Sequence, residues 1–184
     1  RLIGGFGENW RLNRCSIKPY ATCRGTHSAI DAIRQLRAVH QFRPKQIAAI
    51  EVEMSRFQFD MCGGKTISSR AQAQMSLPYA IAAELQFGKV GVAEIEPAAW
   101  NSPRIAEWLS RISVRINDRM ADEDEPVITV AISPGHRHTM TVPFPYGSPA
   151  NPLPDNQLIA KFYDLSNAIL PAQRLDEIAE AVLN

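Results

Sequence analysis

The sequence predicts an α+β fold in which helices pack on a small, mainly antiparallel sheet. Residues 50–54 and 112–117 alternate apolar with polar side chains, as half-buried strands do, and residues 127–132 form a more continuous apolar strand. Apolar residues recur at helical spacing in two other stretches, 28–40 and 69–87. With 184 residues the chain is long enough for one domain with a sizeable core, and helices that cover a small sheet make an α+β domain.

The first helix is predicted to begin at Ser28. The side chains of Ile30, Ile33 and His40 follow the 3.6-residue period of an amphipathic helix. Ser28 and Asp31 have the spacing of a capping box, with Asp in place of the usual Glu. A helix start leaves backbone N–H groups unpaired and carries partial positive charge, so we expect this one to attract a carboxylate or a phosphate.

The next helices carry start and stop signals. Residues 69–87 are predicted to be helical, with Pro78 starting or kinking a helical segment and Gly88 ending it. Ser102 is a good N-cap and Pro103 suits the first helical position. These two residues therefore predict a further short helix that leads into the second strand.

The part of the chain around the third strand is more polar. The acidic run at residues 122–125 is predicted to be a solvated hairpin loop between the second and third strands. Residues 139–142 are predicted to form a fourth strand, because apolar and polar side chains alternate there.

The C-terminal part of the chain differs in composition from the rest. Five prolines between residues 143 and 154 predict a stiff linker. Two apolar stripes at helical spacing follow, and Pro171 separates them, which predicts two more helices. We therefore expect an α+β domain at residues 1–150 and a helical segment at residues 151–184.

Composition and charge exclude some classes of function. The net charge is +1 and 45% of residues are hydrophobic, so nothing indicates nucleic acid or a membrane as a partner. The sequence has neither an apolar run of about 18 residues nor the pattern of a signal peptide. We expect a cytoplasmic protein.

Cysteine and histidine, the common ligands of transition metals, do not form a metal-site pattern here. Cys15, Cys23 and Cys62 are an odd number at spacings that fit no zinc template, and we expect reduced thiols. His136 and His138 share one face of a predicted strand, but the sequence indicates no third ligand. The sequence therefore predicts no metal site.

The segment at residues 18–27 concentrates groups that can carry chemistry. Lys18, Arg24, Cys23 and His27 lie within ten residues that end where the first helix begins. Two interpretations stay open at this point. The segment is a solvated loop with an ordinary buried thiol, or it is an anion-binding site in which the two cations reinforce the helix start.

Four segments resemble the MmgE/PrpD family in order and approximate spacing. The first resembles the family's K-x-Y/F-P-x-C/H-x-x-T-H-x-x-x-D-A motif, and its matching residues are Lys18, Tyr20, Cys23, Thr26, His27, Asp31 and Ala32. Ala21 stands where the family usually has proline. The other segments are a Q-x-S-L-P-Y helix at residues 73–88, a G-x-P-x-N-P linker at residues 146–153 and a helix start at residues 158–162. Together the four cover roughly residues 1–170.

The resemblance implies an enzyme. The family includes 2-methylcitrate dehydratases, cis-aconitate decarboxylases and iminodisuccinate epimerases, which perform acid–base chemistry on small di- and tricarboxylates without metal or organic cofactor. Its members carry a large helical domain before a lid-like C-terminal domain, and the C-terminal helices pack on that helical domain. The chain starts at Arg1 rather than at Met, so we expect a C-terminal fragment, inactive alone, of a protein that is a homodimer at full length.

The resemblance also implies roles for individual residues. Lys18 and Arg24 would hold carboxylates, while Lys18, Cys23 and His27 would be catalytic. Tyr79 would bind substrate or, alternatively, pack in the core. The decarboxylase branch carries a histidine at the position of Cys23, so the resemblance favours dehydration, as of 2-methylcitrate, or epimerisation. An anion- or partner-binding α+β module without catalysis stays open as the alternative.

Overall fold

The computed structural model describes residues 5, 7, 8, 10–132 and 135–183. The chain forms two compact units. One unit is Tyr20–Tyr146, and the other combines Arg1–Pro19 with Gly147–Asn184. Each unit is described separately below.

The larger unit contains a four-stranded mixed sheet. Its strands are β1 (Ile47–Met54), β2 (Ile112–Ile116), β3 (Val127–Ile132) and β4 (His136–Met140). Their order is β2-β1-β3-β4, in which β1 and β2 are parallel and the other two pairs are antiparallel. The predicted α+β class with a mainly antiparallel sheet is confirmed. The fourth strand begins three residues earlier than the 139–142 that the sequence indicated.

The acidic run at residues 122–125 does not close a hairpin, so that prediction was wrong. Strands β2 and β3 lie on opposite sides of β1 and do not pair with each other. The run is not fully solvated either, because only 10% of the Glu125 side chain is exposed. An ion pair with Arg24 compensates the charge of Glu125 in this buried position.

Six α-helices accompany the sheet among the described residues of the larger unit. They are α1 (His27–His40), α2 (Arg56–Cys62), α3 (Arg70–Gln74), α4 (Leu77–Phe87), α5 (Pro97–Trp100) and α6 (Pro103–Arg111). The stretch predicted as one helix at residues 69–87 is two helices, α3 and α4. The break occurs where the Ser76 side chain accepts a hydrogen bond from the Tyr79 N–H and caps α4. Gly88 ends α4 with a φ of 73°, as its sequence position indicated.

The predicted capping box at the start of α1 is wrong. Thr26 occupies the N-cap position, and Ser28 lies inside the helix, fully buried. The hydroxyl of Ser28 has no hydrogen-bond partner among the described residues. Asp31 accepts hydrogen bonds from the Tyr20 hydroxyl and from the Tyr146 N–H, the latter at 2.7 Å. Its carboxylate therefore connects distant parts of the unit, and it does not cap its own helix.

The core of the larger unit lies where the sheet packs with α1, α4 and α6. The largest fully buried apolar side chains include Ile30, Ile33, Leu36, Ile50, Leu77, Tyr79, Ile81, Ile105 and Ile112. Burial of each such side chain stabilises the fold by about 1.5–3 kcal/mol. This core fixes the N-terminal end of α1, where the candidate site lies.

The smaller unit contains two α-helices among its described residues, α7 (Asp155–Ser166) and α8 (Ala172–Leu183), and Pro171 separates them as predicted. An apolar groove of about 270 Å³ is lined by Leu158, Ile159, Phe162, Ile178, Ala179 and Val182. Within the described part of the chain, none of the helices combines the length and the apolarity needed to cross a membrane.

A glycine of the predicted linker has a clear steric role in the smaller unit. The Gly147 carbonyl accepts a hydrogen bond of 2.9 Å from the Ile17 N–H. Gly147 has a φ of 84°, and a Cβ atom there would lie 2.0 Å from the Ile17 carbonyl oxygen. Glycine is therefore the one residue type that fits this pairing without a shift of the backbone.

Candidate functional site

The segment before α1 is held in place by backbone hydrogen bonds. The Ala21 N–H donates to the Val90 carbonyl at 2.9 Å, and the Cys23 N–H donates to the Gln74 carbonyl at 2.8 Å. The Gln74 side-chain amide donates back to the Ala21 carbonyl at 3.3 Å. Because Gln74 belongs to a motif segment, residues 73–88, these bonds join two of the segments that carry the family resemblance.

Hydroxyl and imidazole groups tie the segment to the first turn of α1. The Thr26 hydroxyl donates to the Cys23 carbonyl at 2.9 Å and lies 2.8 Å from the Thr22 hydroxyl. The Nε2 atom of His27 lies 3.4 Å from the Thr22 carbonyl oxygen, and its ring packs edge-on against Tyr20. A carbonyl oxygen can only accept, so this contact favours a proton on Nε2. His27 is 1% exposed, which suits a group that positions the loop.

A buried polar network continues from Tyr20 along α1. The Tyr20 hydroxyl donates to Asp31, and burial together with this hydrogen bond raises the pKa of Tyr20. The Arg34 guanidinium lies over the Tyr20 ring and donates to Glu84 at 2.7 Å. Glu84 is 3% exposed, and Arg34 compensates its negative charge in this buried position. These contacts connect Tyr20 to Asp31 and Arg34 of α1.

Arg24 is the half-exposed cation at the helix start. Its guanidinium forms an ion pair with Glu125 at 2.7 Å, and 39% of the Arg24 side chain is exposed. The Oε2 atom of Glu125 is buried and has no hydrogen-bond partner among the described residues. A carboxylate that approached Arg24 would therefore compete with an internal carboxylate of the same protein. No local pattern indicated this partner of Arg24, because Glu125 belongs to an acidic run typical of solvated loops.

Two thiols lie close to the same segment. Cys23 is half-buried and Cys62 is buried. Burial, with a smaller effect of nearby Cys23, raises the pKa of Cys62 to about 12. A Cβ atom on Gly25 would lie 2.8 Å from the terminal methyl carbon of Met61, so glycine permits this close approach. Cys62 is therefore a neutral packing residue, and Cys23 is the thiol with partial access to solvent.

Tyr79 lies in the core. It is 0% exposed, and its hydroxyl donates to the carbonyl of Glu94. Burial raises the pKa of Tyr79 to about 12. Of the two roles weighed for Tyr79 from the sequence, this placement supports packing, because the hydroxyl already has a partner and has no exposed surface for a substrate.

Lys18 belongs to the smaller unit and its side chain is exposed. Its backbone carbonyl accepts a hydrogen bond of 2.7 Å from the Nζ atom of Lys161. Of the residues that the sequence singled out, Cys23, Arg24 and His27 lie together at the start of α1 in the larger unit. Asp31 and Glu84 were not predicted as parts of a polar network, because their partners are distant in sequence.

One of the two histidines of β4 packs against an aromatic ring of α1. His138 stacks on His40 with ring centroids 3.6 Å apart. Partial burial and the neighbouring imidazoles of His40 and His136 lower the pKa of His138. The described residues contain no cluster of three side chains able to hold a metal ion. The stacked rings of His40 and His138 join the end of α1 to β4.

Comparisons with known proteins agree with the motif resemblance. The family model described as the MmgE/PrpD C-terminal domain matches residues 20–184. A cis-aconitate decarboxylase of Aspergillus terreus (strain NIH 2624) is 25% identical and is matched over 100% of this chain and 40% of its own length. A second Aspergillus terreus cis-aconitate decarboxylase is 24% identical, with 99% and 40% covered. The cis-aconitate decarboxylase-like protein oryM of Aspergillus oryzae is 26% identical, with 97% and 39% covered.

Proposed function

This chain belongs to the MmgE/PrpD family, and we propose that it is part of an enzyme that performs cofactor-free acid–base chemistry on a small di- or tricarboxylate. The chain spans about 40% of the length of the curated relatives it matches. We therefore also propose that the rest of the site comes from outside this chain and that the chain alone is inactive. Residues 20–184 correspond to the family's C-terminal domain.

The observation that carries this proposal is the placement of Arg24. Its side chain is 39% exposed at the start of α1, where the helix dipole adds partial positive charge. A guanidinium can hold a carboxylate through two parallel hydrogen bonds. Removal of a proton, carboxylate or hydroxyl next to an acid group builds negative charge, and fixed cations stabilise that charge as it develops.

The other residues have distinct proposed roles. Lys18 is exposed and would bind a carboxylate or exchange a proton with the substrate, as its motif position implies. Cys23 is half-buried next to Arg24 and is the candidate for proton transfer in the larger unit. His27, which is buried, would position the loop. Tyr79 receives no role in substrate binding in this proposal.

The type of reaction has two candidates. Cys23 stands where the decarboxylase branch has histidine, which supports dehydration of a 2-methylcitrate-like substrate, or epimerisation. The names of the relatives support decarboxylation of cis-aconitate instead. We place dehydration or epimerisation first, because an identity of 25% over the chain is compatible with a change of substrate within one family.

Proton NMR of the full-length protein in deuterium oxide tests the proposal. The substrates are 2-methylcitrate, citrate, cis-aconitate and iminodisuccinate. Loss of water, loss of carbon dioxide or exchange of the α-proton for deuterium identifies a dehydratase, a decarboxylase or an epimerase respectively. Lys18→Ala should sharply reduce turnover while the circular dichroism spectrum stays unchanged. Binding of these carboxylates without any turnover would support the non-catalytic module instead.

We propose a cytoplasmic homodimer for the full-length protein, in line with the free thiols of Cys23 and Cys62. Light scattering coupled to size exclusion measures the mass in solution directly. A mass of one subunit at assay concentrations would contradict the dimer.

A further inference from the structure

A second basic site lies at the opposite end of α1 from Arg24. An open pocket of about 510 Å³ is lined there by Arg34, Arg37, Ala38, Gln41, Phe42 and Arg43. Small-molecule sites typically have volumes of about 300–1,000 Å³. Three of the six lining residues are arginines and none is acidic. The spacing of residues 34, 37, 38 and 41 puts them on one face of the helix.

The three guanidinium groups are not equivalent. Arg34 is paired with Glu84 at 2.7 Å, so its charge is compensated and its orientation is fixed. Neither Arg37 nor Arg43 forms an ion pair with any carboxylate of the described residues. The pocket therefore keeps about two uncompensated positive charges on a chain whose total net charge is +1.

A second observation points to a ligand. The Nε atom of Arg37 is buried and lacks a hydrogen-bond partner within the described part of the chain. A buried donor without an acceptor is unfavourable, and native proteins leave few such groups. In the last turn of the helix, Gln41 donates to the Ala38 carbonyl. The Nε atom has no exposed surface, so an acceptor from outside the chain satisfies it only when the Arg37 side chain turns toward the pocket.

We infer that this pocket, defined by Arg34, Arg37 and Arg43, binds a compact anion with two or more oxyanion groups. Phosphate and carboxylate oxygens share the required chemistry, because both accept the paired N–H groups of a guanidinium. The site is separate from Arg24 and does not depend on the proposed enzymatic function. Gln41, which has a φ of 53°, ends the helix and lets the chain turn so that Arg43 reaches the same pocket.

Isothermal titration calorimetry of the full-length protein with inorganic pyrophosphate, and separately with citrate, tests the inference at constant low ionic strength. Arg37→Gln combined with Arg43→Gln should weaken pyrophosphate binding about tenfold or more, since charge-assisted hydrogen bonds are lost. Arg56→Gln combined with Arg119→Gln removes the same charge at exposed positions elsewhere and should change the affinity less than about twofold. The anion whose affinity falls more in the double variant at positions 37 and 43 identifies the class that the pocket prefers: phosphates if it is pyrophosphate, and carboxylates if it is citrate.

Two results would overturn the inference. One is an equal loss of affinity in both double variants, which would mean that net charge alone attracts the anion. The other is a loss of pyrophosphate binding in Arg24→Gln with full binding in the double variant at positions 37 and 43. As a safeguard against misfolding, Arg37→Lys keeps the charge but removes the Nε donor. It should bind at least about threefold more weakly, and unchanged binding would also contradict the proposed role of Nε.

Discussion

The carboxylate of Asp31 provides the sharpest test of how the site is held together. One oxygen accepts a hydrogen bond from the Tyr20 hydroxyl and the other from the Tyr146 N–H at 2.7 Å. Asp31 is 6% exposed, so water cannot easily replace either partner. A hydrogen bond to a charged group contributes about 1.5–3 kcal/mol to stability. The two bonds together therefore contribute about 3–6 kcal/mol, a large part of the stability of an ordinary domain.

Substitution of Asp31 by asparagine tests this estimate with little change in volume. The asparagine oxygen can accept from the Tyr146 N–H, but its NH₂ group then faces the Tyr20 hydroxyl, so the charge-assisted hydrogen bond from Tyr20 to a carboxylate is lost. We expect Asp31→Asn to lower the free energy of unfolding by about 1.5–3 kcal/mol, measured by urea denaturation followed by circular dichroism. Asp60→Asn, at an exposed position of α2, is the matched control and should stay within about 0.5 kcal/mol of the parent chain.

A double-mutant cycle separates the contribution of the Tyr20–Asp31 hydrogen bond from that of the Tyr146–Asp31 hydrogen bond. Tyr20→Phe removes one donor, and its effect should not add to that of Asp31→Asn because both remove the same hydrogen bond. A coupling of about 1 kcal/mol or more is expected between the two positions. If Asp31→Asn were as stable as Asp60→Asn, the proposed connection between α1 and its flanking loops would be refuted.

Two further predictions concern the linker glycine and alkaline pH. Gly147→Ala should destabilise the smaller unit by about 1 kcal/mol or more from the positive φ alone, and the clash with Ile17 adds to this loss. The control is Gly64→Ala, because a Cβ atom at position 64 would lie in open space. Equal urea midpoints for the two variants would contradict the steric argument. The pKa of Tyr79 is raised to about 12 in the folded chain, against about 10 in an unfolded chain. Between these pH values the Tyr79 hydroxyl stays protonated in the folded state but loses its proton in the unfolded state. The free energy of unfolding therefore falls as pH rises from about 10 to 12. This fall in the free energy of unfolding amounts to at most about 2.7 kcal/mol. The free energy of unfolding of Tyr79→Phe should decline less steeply with pH than that of the parent over this range. Parallel plots of the free energy of unfolding against pH would count against a buried, neutral Tyr79.

Local sequence signals predicted most of the elements. The N-cap and proline at the start of α6 and the glycine after α4 are features of a few neighbouring residues, and both predictions were confirmed. The alternation at residues 50–54 likewise marks β1, because strand periodicity is also local. The helix α2 was missed, since its seven residues are too few to show a helical period.

Pairing between distant residues was harder to predict. Asp31 has the spacing of a capping box, but its actual partners lie 11 and 115 residues away in sequence. In the same way, nothing local distinguishes Glu125 from the other acids of its run, although it is the one that pairs with Arg24. Such choices depend on which carboxylate the folded chain buries next to a donor, and a single sequence does not show this.

The proposed role of Arg24 is to bind a substrate carboxylate at the start of α1. The most direct test is steady-state kinetics of the full-length Arg24→Gln variant on the substrate identified by NMR, with Arg56→Gln as the control of equal charge. We expect a kcat/KM at least about tenfold lower for Arg24→Gln, because a charge-assisted contact is lost, and a value within about twofold of the parent for Arg56→Gln. Equal kcat/KM for the two variants would contradict the assignment.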